Sequence, residues 1–252
     1  MGITNNYFKF ILKHLSQKDL GKVLSIGRQQ LFIKRSLKNG ITFLDELNLF
    51  NQIKSQIDIL DISDYEGANI VHDLSNPIER KYYNSYNYII DGGVLEHVFN
   101  TPMAIQNYFN LLEKNGLLII STVANNQCGH GLYQFSPELF FAICRNIKNV
   151  QMKECLIEPH QFLGAELSNG PIYKVADPSI VNSRVLLRNS RPTTMYICIE
   201  KKSEVAITDF EQPAPVPKKI DETKDDIDND YSHSRDNYYN LIDKGNEAIE
   251  GI

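Results

Sequence analysis

The sequence predicts a doubly wound α/β fold: a mostly parallel, seven-stranded sheet with helices on both faces. Three observations lead there. The short runs IDIL (57–60), YIID (88–91) and LLIIS (117–121) are apolar on both faces, as strands buried from two sides are. Segments of helical periodicity lie between such runs, and strand, helix, strand in repetition is the pattern of a wound sheet. The residues just after each run are glycines or polar groups that a core does not need, at the strand ends where wound sheets bind ligands.

The elements follow in chain order. MGITNNYFKFILKHLS sets lysines among apolar residues and lacks a small-residue cleavage site, so it reads as an amphipathic helix and not as a secretory signal. Strands are expected at Lys22 to Ile26, Ile57 to Ile62, Asn69 to His72, Tyr86 to Asp91 and Gly116 to Val123, with a last one at Thr194 to Glu200. Helices are expected at Gln29 to Lys38, Phe43 to Ile53, Pro102 to Lys114 and Ser136 to Asn146. The third has Pro102 in its first turn and Asn115-Gly116 as its stop; the fourth has Ser136 as N-cap with Pro137 after it. The long segment Pro159 to Arg191 reads as a functional loop over a pocket.

Residues 1–202 thus form one domain. Residues 203–234 alternate proline and then turn acidic, the composition of a disordered linker. Residues 235–252 offer a short helix, either a docking element for a protein partner or a fraying terminus. Of the net charge of −5, the chain from Ser203 onward carries 13 acids and 5 Lys/Arg, leaving the body slightly positive. A body without a basic cluster speaks against nucleic acid. No apolar stretch approaches the roughly 20 residues of a membrane span. Four scattered cysteines make neither a disulfide framework nor a C-x-x-C pair, so reduced thiols and a cytoplasmic location are expected.

The strand tips carry the chemistry. After the first strand come Gly27, Arg28 and Gln29; after the second, Asp61 and Ile62; after the third, Asp73 and Leu74; after the fourth, Asp91, Gly92 and Gly93; after the fifth, Asn125 and Asn126. Asp61 suits a ribose diol, since its two oxygens accept from both hydroxyls, or equally the capping of a turn. Asp73 suits an adenine amine, or a turn before Asn76-Pro77. The first loop offers Gly27 alone, without the glycines that bring backbone amides to a pyrophosphate, which disfavours nicotinamide, flavin and ATP.

LSIGRQQ (24–30), LDISDYEGANIVHDL (60–74), YIIDGGVLEHVFN (88–100) and NNQCGHGLYQFSPELFF (125–141) together resemble the class I S-adenosylmethionine-dependent methyltransferases, in particular a branch associated with sugar and surface-glycan biosynthesis. The resemblance covers about Val23 to Glu158. It implies a Rossmann-like sheet and S-adenosylmethionine as cofactor. It further implies that Gly27, Arg28 and Gln29 surround the methionine end, Asp61 and Ile62 the ribose, Asp73 and Leu74 the adenine, and Asp91, Gly92 and Gly93 the sulfonium. IGRQQ departs from the family's G-x-G-x-G. Methyl transfer to a hydroxyl calls for a base, and His130, set between glycines past the fifth strand, is the candidate. His97, Asn125, Asn126, Tyr133 and Gln134 are expected to face the acceptor, a small molecule or glycan precursor bearing a hydroxyl. His130, Asp91 and Glu96 fit no compact metal motif by spacing, and no metal is expected. The rival reading is a binding module that has lost the cofactor and recruits a partner through its acidic tail.

Overall fold

The computed structural model describes residues 2–15, 21–33, 41–46, 57–160, 171–181, 185 and 189–205. The expectations for residues 206–252, and for most of the two helices placed between the first two strands, lie outside these residues. The chain opens with strand β1 (Gly2–Thr4) and helix α1 (Asn5–His14). It continues through β2 (Val23–Ile26), β3 (Gln30–Phe32), β4 (Ile57–Asp61), β5 (Ile70–Val71), β6 (Tyr86–Gly92), α2 (Thr101–Leu111) and β7 (Leu112–Asn125). Helix α3 (Pro137–Asn146), β8 (Val150–Pro159), β9 (Tyr173–Lys174), α4 (Pro178–Val181) and β10 (Thr193–Lys201) complete it.

The main sheet has eight strands in the order β5-β4-β2-β6-β7-β10-β8-β9. Pairing is parallel from β5 to β7 and antiparallel from β7 through β10 and β8 to β9. This corrects the expected seven-stranded, mostly parallel sheet: the parallel half is as read, and the other half is antiparallel. The order reverses between β2 and β6, whose Ile26 and Asp91 are paired, so Gly27 and Gly92 lie side by side at the switch point.

A second correction concerns residues 30–32. They form β3, pairing in parallel with β1 in a separate two-stranded sheet, where a helix was expected. Leu31 is buried between exposed Gln30 and Phe32, the period of a strand. Strand β8 was not foreseen at all.

The side chains of the sheet alternate between two cores. Leu24, Ile26, Ile89, Leu118, Ile120 and Ile197 pack beneath α2 and α3. On the opposite face Val23, Ile90, Ile119, Leu156, Tyr196 and Cys198 meet α1 through Tyr7, Phe10 and Ile11. Thr4 caps α1 by accepting from the Tyr7 N–H, and the last turn is tied down where Lys13 Nζ and His14 Nε2 lie 2.8 and 2.9 Å from Glu154. Tyr7 donates from its hydroxyl to the carbonyls of Asp91 and Ile119, fixing the helix under the switch point. Helix α2 carries Pro102 in its first turn and α3 starts from the Ser136 cap, as the sequence implies. No helix among the described residues is long and apolar enough to cross a membrane.

Candidate functional site

The first loop is largely engaged with the protein itself. Gly27 adopts φ +68°, open to glycine, and donates to Leu60 O at 2.7 Å, which turns the chain back over β4. The Arg28 guanidinium pairs with Asp45 at 3.2 Å and lies 4.1 Å over the Phe43 ring, so it pins residues 43–46. Gln29 is fully buried and folds across Gly92, where any Cβ would collide with its amide oxygen. Its Nε2 donates to Ile26 O, while its Oε1 meets no hydrogen-bond donor among the described residues. A buried acceptor left without a partner calls for an explanation.

The aspartates at the strand tips divide. Asp61 is half-buried; its Oδ1 accepts from its neighbour's N–H at 2.6 Å, and Oδ2 meets no donor among the described residues. Ile62 beside it is 70% exposed, an apolar side chain held in solvent at the sheet's binding end. Asp73 spends both oxygens on a turn, accepting from Ser75 N and Asn76 Nδ2, and Leu74 is buried in the core. Among the described contacts of Asp73 are those of a turn.

Asp91 is fully buried and accepts from the N–H groups of Gly93, Val94 and Leu95 and from the Tyr108 hydroxyl. Burial first, and then the charge of Glu96, push its carboxyl up to about 7. Its side chain therefore builds the turn after β6, with both carboxylate oxygens engaged within the chain. Gly92 and Gly93 are buried beside it.

Past that turn the fold makes a juxtaposition that spacing did not suggest. Leu132 N donates to Glu96 O at 2.8 Å and Tyr133 N to the same oxygen at 3.2 Å, clamping the loop after β7 onto the turn after β6. Gly131 makes the close approach feasible: at φ +72°, a Cβ there would stand 2.9 Å from Glu96 O. His130 is thereby carried to Glu96, with Nε2 3.4 Å from Oε1, and to His97, with ring centroids 5.3 Å apart. Glu96 is almost wholly buried, and its Oε2 accepts from Thr122 Oγ1 at 2.8 Å. Burial raises the Glu96 carboxyl, and burial together with His130 lowers the His97 imidazole. Glu96, His97 and His130 hold their ligand atoms within 4.8 Å of one another. By spacing Asp91, Glu96 and His130 fit no compact motif; in the fold it is His97 that lies with Glu96 and His130.

The expected acceptor residues separate likewise. Asn126, at φ +56°, donates to Asn189 and Arg191 carbonyls and so anchors that loop, a structural task. Asn125 accepts from Asn126 N, and Gln134 accepts from Gln127 N. Tyr133 stacks on Phe135 at 5.8 Å and donates to Phe99 O. Sequence reasoning missed Thr122 and Gln127. Gln127 donates to Thr193 O, and no motif marks either residue. Cys128, Cys144, Cys155 and Cys198 are all free thiols.

No protein-family model and no curated protein matches the chain. Several solved structures resemble it. An S-adenosylmethionine-dependent methyltransferase of Thermotoga maritima is 13% identical, with a TM-score of 0.44 over 78% of this chain and 89% of that one. The O-methyltransferase of a trans-AT polyketide synthase from Brevibacillus brevis, in complex with S-adenosyl-L-homocysteine, is 12% identical, with a TM-score of 0.47 over 78% of this chain and 72% of that one. A phosphoethanolamine N-methyltransferase of Haemonchus contortus in complex with S-adenosyl-L-methionine is 9% identical, with a TM-score of 0.45; the match covers 78% of this chain and about half of that one, 52%.

Proposed function

We propose that the chain is an S-adenosylmethionine-dependent methyltransferase acting on a hydroxyl of a small acceptor. The observation that carries this reading is Asp61: a carboxylate with one oxygen unclaimed among the described residues, at the end of β4, beside the exposed Ile62, in a sheet that winds outward from the β2/β6 switch point. Asp61 would accept from a ribose diol, and Ile62 would cover an adenine face. Gln29 Oε1, buried and without a donor among the described residues, would accept from an ammonium group brought to the switch point. When bound, S-adenosylmethionine supplies a methyl group activated by its sulfonium.

The chain's own contribution is alignment, which in well-oriented systems is worth roughly 7 to 11 kcal/mol. His130, half-exposed above the buried Glu96, is the group proposed to act on the acceptor's proton. The acceptor is read as a sugar or glycan precursor on the sequence resemblance described above. One observation favours the binding-module alternative: Gln29 lies on Gly92 and Arg28 is locked to Asp45, which narrows the approach to the switch point.

The test is transfer itself. Purified chain is incubated with methyl-labelled S-adenosylmethionine and a panel of hydroxylated sugars, and release of S-adenosylhomocysteine is followed. His130→Ala should lower turnover about 10² to 10⁴-fold with S-adenosylhomocysteine affinity kept. Transfer at the parental rate would remove His130 from the reaction.

A further inference from the structure

We propose that Glu96, His97 and His130 form a binding site for a divalent first-row transition-metal ion, with an open position for an oxygen of the acceptor. The argument is geometric. The 3.4 Å between Glu96 Oε1 and His130 Nε2 is longer than a charge-assisted hydrogen bond, normally about 2.7 to 2.9 Å. Two ligands held about 2.0 to 2.2 Å from one tetrahedral ion stand about 3.3 to 3.6 Å apart, so the same gap fits a shared ion. His97, exposed on the turn after β6, completes the set, with all three ligand atoms within 4.8 Å of one another.

The support around these groups is what a ligand set needs. Thr122 Oγ1 holds the second oxygen of Glu96, leaving Oε1 turned to the two imidazoles. Hydrogen bonds from Leu132 and Tyr133 to Glu96 O fix one loop against the other, so the two histidines do not depend on a bound molecule to meet. Among the described residues, Glu96 has no lysine or arginine partner, and its one ion pair is with His130. A buried carboxylate whose one ion-pair partner among the described residues is an imidazole is open to a metal ion as well. Two imidazoles and a carboxylate suit zinc and its neighbours better than magnesium or calcium, which prefer oxygen throughout. Three protein ligands leave a fourth position, the arrangement of ions that act on a substrate.

The site stands on geometry alone; the ion's role rests on the methyl-transfer reading. With the ion bound, His130 acts on the acceptor's proton through the ion it holds, which would bring a coordinated hydroxyl or water down toward neutrality. The acceptor hydroxyl then releases its proton to bulk water. Its oxygen forms the O–CH3 bond as the CH3–S bond breaks, and that bond's electron pair stays on sulfur.

The test uses the full chain, free of any tag, stripped with EDTA and titrated with Co2+ followed by visible absorption and with Zn2+ by calorimetry. One ion per chain is expected, with intense four- or five-coordinate Co2+ bands. His97→Ala and His130→Ala, both at exposed positions, should each weaken binding tenfold or more. Absence of saturable uptake of either ion, or uptake unchanged in the double variant, overturns the site. Titrating the same stripped chain with S-adenosylhomocysteine separates the two readings. Ion uptake without nucleoside binding keeps the site and removes the methyltransferase, and nucleoside binding without ion uptake does the reverse.

Discussion

Two aspartates at the ends of β4 and β6, the strands that flank β2, set the two halves of the site apart. Asp91, at the end of β6, is sealed inside and answers four donors of its own chain, whereas Asp61, at the end of β4, faces outward with one oxygen unclaimed among the described residues. Residue type is the same, but Leu60 and Asp91 both pair with Ile26, so Asp61 lies one residue further along its strand and on the other face, and the turn that follows differs as well. After β6 the chain folds tightly into residues 95–97, and its backbone N–H groups converge on the carboxylate. After β4 it runs out into exposed residues from Ile62 onward, and only one N–H turns back. A strand-end aspartate is therefore a builder or a binder according to how many local donors reach it first.

The contrast breaks if Asp91 proves dispensable. Asp91→Ala strips the partners from three backbone N–H groups and the Tyr108 hydroxyl, and should cost about 3 to 5 kcal/mol in urea unfolding. A loss below about 1 kcal/mol would mean the turn holds without it. Its pH behaviour sharpens the point. Because the folded carboxyl titrates at about 7 and an unfolded one near 3.8, the folded chain holds the proton longer. This group's contribution to stability therefore falls as pH rises from about 4 to about 7 and is level above that. The stability of the parent relative to Asp91→Asn should drop by about 2 kcal/mol between pH 5 and pH 8, and an unchanged difference would place the titration elsewhere. At the small end, Asp73→Ala removes only turn contacts, so a loss of about 0.5 to 1 kcal/mol and an unchanged S-adenosylhomocysteine affinity are expected. A tenfold loss of affinity would restore Asp73 to the site.

Much of this frame is legible in the sequence, for reasons that can be named. The runs at 57–60, 88–91 and 117–121 are apolar on both faces because the sheet is covered on both, and α2 and α3 announce their starts with Pro102 and Ser136-Pro137. Strand β8 is hard to see because two buried glutamates, Glu154 and Glu158, break up its apolar run. Residues 30–32 mislead because QLF carries either periodicity; pairing with β1, a partner far back in the chain, decides for strand. Asp61 and Asp73 look alike in sequence, and only the donors that fold back on them tell them apart. The meeting of Glu96, His97 and His130 depends on two hydrogen bonds to one carbonyl and on a glycine at Gly131, which no spacing rule encodes.

The central claim is that the open half of the strand tips holds an adenosine through Asp61. Calorimetric titration of the full chain with S-adenosylhomocysteine addresses it most directly, run beside Asp61→Ala. The account predicts one saturable site, weakened about tenfold or more by the substitution, since a hydrogen bond to a charged group is worth about 1.5 to 3 kcal/mol. No binding by the parent chain, or equal binding by both, would contradict it.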